Sequence, residues 1–499
     1  MPRVRIPLVG SLTNRSPNAG NNDPTDQRFV NGFPEVTRNP VTGNSEVILN
    51  KRIGSIVSSD VQASATGSFA SINWTTGTSA PTVFSFLKST GTSVMFFDQS
   101  AAQVGGDVAS ADNCFFIHET LISGTPHLTA ATEATGAGSP IQHHYYPQGG
   151  AWTQITDANF PTALPSHAHM DGYMVVMKSN GVLQHSAQNS VSSWPASNLI
   201  PTVSGGTGQG CVNYRNFIVG FTDYGTEFFA NAGNPFGSVF KRVPEGVLRL
   251  GAVNLSSINK QPPFKVVGDS IYLVGRNTDS GAPGIFKITG NQFTKISNPA
   301  VDRITESNGI TSIFGAFTMF GKTHIAFSSG TGDYTVLCYC EDMKFWWFLS
   351  LADGASYFVT SIIGNMTSAA KAKTYLISGS NAKSFTFDPS VPVYTDNSLA
   401  YTMTARTGNM DLGTRAMKFW ESLAVIADDQ ASTSNIGVSH SDDDGATFST
   451  ERNIDTSMFP SVKLVRLGAS RRRQWKLTHS AATACRIYGL EIEYSQGGH

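Results

Sequence analysis

The chain has 499 residues, of which 14% are charged, and its formal net charge is -1. That balance argues against a nucleic-acid binder that works by broad phosphate neutralisation, and a chain of this length divides into two or three domains. Five cysteines (Cys114, Cys211, Cys338, Cys340, Cys485) are scattered without CxxC spacing, which fits reduced, buried thiols better than a disulfide framework. With 48 glycines and Ser, Thr and Asn between short apolar runs, the composition suits a large all-β protein.

The opening Met1–Pro7 segment has no apolar run of signal-peptide length, and no later stretch is long and apolar enough for a membrane helix, so a protein made and kept in a cytoplasm is expected. Residues 1–50 are rich in Asn, Pro, Gly and Arg and carry little hydrophobic periodicity. They read as an extended arm that gains order against a partner, with Arg3, Arg5, Arg15, Arg28 and Arg38 as charged donors. The expected division is an arm with first strands over 1–80, a propeller over 81–391 and a β-sandwich-like domain over 392–499.

From about Thr82 a blade-like unit recurs, with starts near Val83, Asn113, Gly172, Arg215, Asp269, Phe314 and Lys373. The clearest copy runs from Ile313 to Ser350. Four runs, Ile313–Phe320, Thr323–Phe327, Tyr334–Cys340 and Phe345–Leu349, are separated by Gly, Ser and Asp turns and read as antiparallel strands. The third run is apolar on both faces, so its sheet is covered on both sides. Asp342 ends that strand and Trp346 opens the next, as in a propeller blade. Fourth strands are expected at Trp152–Ile155, Ser193–Pro195, Phe293–Ile296 and Phe345–Leu349. The fold class predicted is all-β: a β-propeller of about six or seven blades, six favoured, with an extended N-terminal arm and a C-terminal β-sandwich-like domain. The alternative is a set of unrelated hairpins in sandwiches.

After Pro392, strands are expected at Tyr401–Ala405, Met417–Ala427, Asn435–His440, Lys463–Leu467, Gln474–Thr478 and Ala484–Glu493. Between them Ser441, Asp443, Gly445, Thr447 and Phe448 fit the Asp-box pattern S-x-D-x-G-x-T-[WF]. In such a box the Asp accepts turn hydrogen bonds, the Gly takes a backbone angle closed to other residues and the aromatic packs beneath the hairpin. Asp-boxes recur in sialidases, but those carry several boxes, an Arg cluster and a Tyr nucleophile, so a structural turn is favoured. Arg471, Arg472 and Arg473 form the densest basic cluster and, with Arg28, are candidates for contacts between subunits. His143-His144 and His167-Ala168-His169 read as loop histidines outside any metal or catalytic set, although the second pair would share one strand face. Gly205–Gly210 lacks the Lys-Ser/Thr of a phosphate loop. No catalytic residue, cofactor or metal is expected.

Arg28-Phe29-Val30-Asn31-Gly32-Phe33-Pro34-Glu35 forms an R-x-x-N-x-x-P-E string, followed by the basic turn Lys51-Arg52-Ile53-Gly54. With the closing strand Gly489–Tyr494 and the S-x-D-D-G hairpin before it, this resembles the tail nozzle, or packaged-DNA stabilisation, proteins of short-tailed bacteriophages. Ile53 stands where that family carries Pro. The resemblance implies a non-enzymatic virion protein, assembled in the host bacterial cytoplasm as a homo-oligomer, a hexameric ring in the tail. The ring would contact the tail adaptor on the portal side, carry fibres or a needle, retain double-stranded DNA and conduct it without sequence-specific binding. A glycan-active or glycan-binding propeller is the alternative that the Asp-box suggests.

Overall fold

The computed structural model describes residues 3–6, 29–38, 45–60, 65–77, 81–88, 93–136, 140–234, 237–253, 260–306, 310, 312–328, 335–351, 359–365, 373–378, 383–458 and 462–497. Among the described residues seven four-stranded units, the fifth with a divided first strand and the sixth continued into a larger sheet, follow one another along the chain. Blades one to six occupy residues 65–109, 111–154, 163–200, 208–248, 250–295 and 313–350. Blade seven takes three strands from its own stretch, Val359–Asn365, Lys373–Ser378 and Lys383–Phe387, and its fourth from Ile56–Asp60. The first strand of each blade lies against the first strand of the next, and Val359–Asn365 lies against Ala65–Asn73 of blade one. The ring is thereby closed, and the protein is a β-propeller.

The favoured count of six misses a blade because the seventh has no fourth strand of its own. The predicted unit 313–350 is reproduced to within a residue, as Ile313–Met319, Lys322–Ser328, Thr335–Cys340 and Phe345–Ser350. Both faces of its third strand are covered. Val336, Cys338 and Cys340 join one core, while Leu337 and Tyr339 pack with Trp346 in another. Asp342 Oδ2 accepts the Thr323 N–H at 2.9 Å, and Trp346 Nε1 reaches the Ile296 carbonyl of blade five at 3.3 Å. All five cysteines are free and buried.

Most expected unit starts fall on the second strand of a blade: Val83 and Lys373 lie in second strands, and Gly172, Arg215 and Asp269 in the turns before them. The physical reason lies in the first strands. In six blades the register between first and second strand shifts, at Gly67/Ser71, Ala111/Cys114, Ala163/His167, Gly208/Gly210, Ile313/Gly315 and Val359/Ser361. In blade five the first strand is broken into Leu250–Ala252 and Phe264–Val267, both paired with Ser270–Asn277. A bulge adds a residue and breaks the two-residue alternation, so the innermost strands lose the pattern by which strands are read. Of the expected fourth strands, Ser193–Pro195 is a loop. The strand there is Leu199–Ile200, while Trp194 is buried against Phe160 and donates Nε1–H to the Val191 carbonyl at 2.9 Å.

The C-terminal domain is a sandwich of two sheets, and the N-terminal segment supplies strands to both. One sheet orders Phe29–Val30, Met403–Arg406, Gln474–His479, Asn435–Ser441 and Arg452–Asp455. The other orders Gly32–Arg38, Ser45–Lys51, Arg486–Gln496, Lys418–Ala427 and Leu464–Val465, with Arg3–Ile6 added along Arg486–Gln496. Asn31, at φ 57°, is the corner where the chain leaves one sheet for the other, a backbone state that Asn tolerates better than most residues. The segment is extended, as expected, but its described strands lie against their own chain. Phe29 and Phe33 are 1% and 0% exposed. The expected boundary at residue 81 falls just before the second strand of blade one, and propeller strands already occur at Ile56–Asp60 and Ala65–Asn73.

The two domains are fused. Val30 pairs in parallel with Phe348, so the outer strand of blade six continues into the sandwich as one nine-stranded sheet. One apolar cluster runs through the joint, with Trp347 and Phe317 on the propeller side and Trp420, Trp475 and Leu490 on the sandwich side. Phe33 sits between them, 5.6 Å from the Trp347 ring and 5.3 Å from Phe320.

Candidate functional site

At this joint Arg52 is fully buried, and each of its five N–H donors has a partner. Nε donates to Asn31 Oδ1 at 2.8 Å, Nη1 to Asp396 Oδ1 and the Ile53 carbonyl, each at 2.9 Å, and Nη2 to Asp396 Oδ2 at 2.5 Å and the Ser350 carbonyl at 2.8 Å. The Tyr401 ring covers the guanidinium at 3.8 Å, and the Tyr401 hydroxyl donates to the Arg52 carbonyl. Burial works against the charge, but Asp396 outweighs it, and the Arg52 pKa is raised. A guanidinium has five donors in a fixed fork, so this environment leaves none unmet. One side chain thereby ties the end of blade six, the N-terminal strands and the 395–401 segment. Neighbouring Lys51 is also buried, donating to the Ala481 carbonyl at 2.7 Å, and burial lowers its pKa to about 8.

Asn31 completes the knot. Its Oδ1 also accepts the Ser350 N–H at 2.9 Å, and its Nδ2 donates to the Thr402 carbonyl at 3.0 Å. Glu35 Oε2 accepts Asn50 Nδ2 at 2.7 Å. The string Asn31-x-x-Pro34-Glu35, the turn Lys51–Gly54 and the closing strand Arg486–Gln496 therefore meet in one place, with Leu49 paired to Ile487. Gly54 packs so closely on the 395 backbone that a Cβ there would lie 2.0 Å from the Thr395 carbonyl oxygen. Gly54→Ala is expected to cost about 1–3 kcal/mol by overpacking, read as a lower urea midpoint with an unchanged slope. Asp396 and Tyr401 escaped the sequence reading because 344 residues separate Asp396 from its partner.

The Asp-box forms the turn expected of it. Ser441 Oγ donates to Asp443 Oδ1 at 2.7 Å and accepts the Gly445 N–H at 2.7 Å. Thr447 donates its N–H to Asp443 Oδ1 at 2.9 Å and its hydroxyl to Oδ2 at 2.5 Å. These bonds, the Thr447 hydroxyl first, hold the Asp443 pKa down at about 2. Gly445 has φ 86°, the left-handed backbone that glycine takes without strain. Phe448 is half-buried, with Arg406 5.1 Å from its ring. The box sits on the hairpin after Asn435–Ser441, in the sandwich and away from the propeller.

The basic cluster splits. Arg473 turns inward, 1% exposed, with Nε and Nη2 each 2.7 Å from the Asp442 carboxylate and Nη1 2.6 Å from the Leu467 carbonyl. Trp420 and Trp475 flank it at 5.2 and 5.3 Å. Its donors are engaged within the chain, so it is withdrawn from the candidate subunit contacts. Arg471 and Arg473 do not share a strand face, because 471–472 form a bend and only Arg473 makes a bridge, to Met410. Arg471 and Arg472 are exposed, and Arg472 pairs with Asp444. Arg28 lies outside the described residues.

The histidines are strand residues, not loop residues. His143 and His144 lie in Ile141–Pro147, and His167 and His169 in Ala163–Met170. His118 and Thr129 of blade two complete a packed group with them. Thr129 Oγ1 lies 2.7 Å from His167 Nε2 and 3.0 Å from His169 Nε2, and the rings of His143 and His167 are 5.4 Å apart. Burial lowers the pKa of every one of them, to about 3 for His143 and about 4 for His144. Among the described residues no group of three or more His, Cys, Asp or Glu is arranged to hold a metal. Among the described residues no helix is long and apolar enough to cross a membrane.

No family model matches the chain, and no curated protein matches it. Among solved structures it is similar to the extracellular domain of a one component system from B. thetaiotaomicron, at 13% identity and a TM-score of 0.38 over 75% of this chain. The match spans 43% of that protein's chain, less than half its length. It is also similar to the WD40 β-propeller domain of Doa1, at 9% identity and a TM-score of 0.38, over 68% of this chain and 98% of that one. At these scores the likeness adds nothing to what the closed ring of sheets already shows.

Proposed function

We propose that the protein is a structural virion component, a tail nozzle subunit of a short-tailed bacteriophage. It would assemble into a homo-oligomeric ring, a hexamer, that extends the portal and adaptor channel, retains packaged double-stranded DNA and conducts it on ejection. The observation that supports this reading is the meeting of the family-like segments at Arg52. Strings far apart in the chain form one buried joint that locks propeller and sandwich together, as a stiff conduit wall requires. The near-zero net charge supports it too, because a channel lined to neutralise phosphates would hold DNA rather than pass it. On this reading the protein is not an enzyme and its Asp-box is a turn device.

The test uses the full chain with portal–adaptor complexes and tail-less particles of a short-tailed phage, read by size-exclusion light scattering and DNA retention. The parent is expected to form rings of uniform mass. Arg471→Glu combined with Arg472→Glu is expected to raise the concentration needed for assembly about tenfold with an unchanged circular dichroism spectrum, because like charge across a contact is strongly disfavoured. A parent that stays monomeric with these partners, or that turns over sialosides or polysaccharide, would overturn the reading. If the double variant assembles as well as the parent, the two arginines lie outside the contact.

A further inference from the structure

The innermost strands line a half-open cavity of about 370 Å³ at the centre of the propeller. Its wall is drawn from blades one, two, four, five, six and seven and is mostly apolar, with Ile72, Phe115, Val212, Phe264, Ile313 and Ile363 among the contributors. Residues 260 and 261 bridge to blades two and seven. Lys260 reaches Glu133 of blade two at 2.7 Å, and Gln261 Nε2 reaches the Thr360 carbonyl of blade seven at 2.9 Å, so Gln261 and Pro262 form part of the wall.

Two polar side chains in this wall have unused capacity. Lys265 Nζ makes one hydrogen bond, to the Phe314 carbonyl at 3.3 Å, which engages one of its three protons. No Asp or Glu is among the residues lining the cavity. His118, the second, leaves Nδ1 without a hydrogen-bond partner. A partly buried ammonium beside an apolar wall without a counter-charge is costly, and an entering anion relieves that cost. Burial lowers the Lys265 pKa to about 8, so the group is still mostly protonated at neutral pH.

We propose that the central cavity is a binding site for a small organic anion with an apolar body, a medium-chain carboxylate, whose head pairs with Lys265 and whose tail lies on the Ile, Val and Phe wall. The size is suitable: the volume corresponds to roughly a dozen water molecules of liquid, hence about as many ligand atoms other than hydrogen. The site belongs to the propeller alone and does not rest on the assembly reading.

The experiment is calorimetric titration of the full-length protein at pH 7 with octanoate, 1-octanol and octylamine. Octanoate is expected to bind saturably at one per chain, about tenfold or more tighter than 1-octanol, with octylamine weakest. Lys265→Met is expected to abolish the preference for octanoate while retaining 1-octanol. Should that variant fail to fold, Val266→Trp, which fills the cavity and keeps the lysine, is expected to lose both ligands. No octanoate binding by the parent, equal binding of octanoate and 1-octanol, or unchanged octanoate binding by either folded variant would overturn the proposal.

Discussion

Acidification from pH 7 to pH 5 is expected to lower the stability of the propeller by several kcal/mol, with the steepest loss below pH 6.5. His118, His143, His144, His167 and His169 are packed within and between blades two and three, and each has its pKa depressed by burial. In the unfolded chain each titrates near 6.5. The folded state binds fewer protons than the unfolded state, so stability rises with pH through this window and is complete above about 6.5. A histidine that stays neutral down to pH 5 costs about 2 kcal/mol over the 1.5 units below its unfolded pKa, at 1.36 kcal/mol per unit. His143 and His144, held at about 3 and about 4, make about 4 kcal/mol between them, a large share of the whole stability of many domains. Urea midpoints at pH 7, 6 and 5 measure the effect, and His143→Phe is expected to flatten the slope. A flat profile in the parent would mean that these rings take up protons in the folded chain.

Removing Asp396 is expected to cost about 3–5 kcal/mol, because it leaves the Arg52 charge buried and unpaired. Ser55 would lose partners as well, since its N–H and its hydroxyl each donate to Asp396 Oδ1 at 3.0 Å. The cost belongs to the broken pair rather than to the absence of charge. Arg52→Met combined with Asp396→Leu is therefore expected to be closer to the parent than Asp396→Leu alone. Denaturant unfolding of the three proteins decides the matter, and an Asp396→Leu variant as stable as the parent would show that water reaches the guanidinium.

What the sequence made legible and what it hid separate along physical lines. Elements whose pattern is local were readable: the strands of 313–350, the six C-terminal strands and the Asp-box, where Ser441 to Thr447 bond within seven consecutive residues. Elements whose partners are remote were not. Phe29–Val30 is two residues long, carries no alternation of its own and exists because blade six and Met403–Arg406 flank it. The same holds for Ile56–Asp60. His167 and His169 were placed on one face, but their burial depends on blade two, which no spacing within Ala163–Met170 reveals. Arg473 looked like its neighbours until Trp420 and Trp475 closed around it.

The borrowed strands also set an order of events at the ribosome. Asn31 and Thr402 are 371 residues apart, and Ile56–Asp60 waits for blade seven. At roughly 5–20 residues per second, the first strands exist for some 20–75 s before their partners have been made. Blades one to six form in sequence during that interval, each from a contiguous stretch. The ring and the sandwich then close almost together, as the last quarter of the chain appears. Contacts of such separation slow folding, and an unpaired hairpin that includes Phe33, Ile48 and Leu49 is an aggregation hazard while it waits. Yield of this protein should therefore depend on translation speed and on holdase chaperones more than its finished stability would suggest.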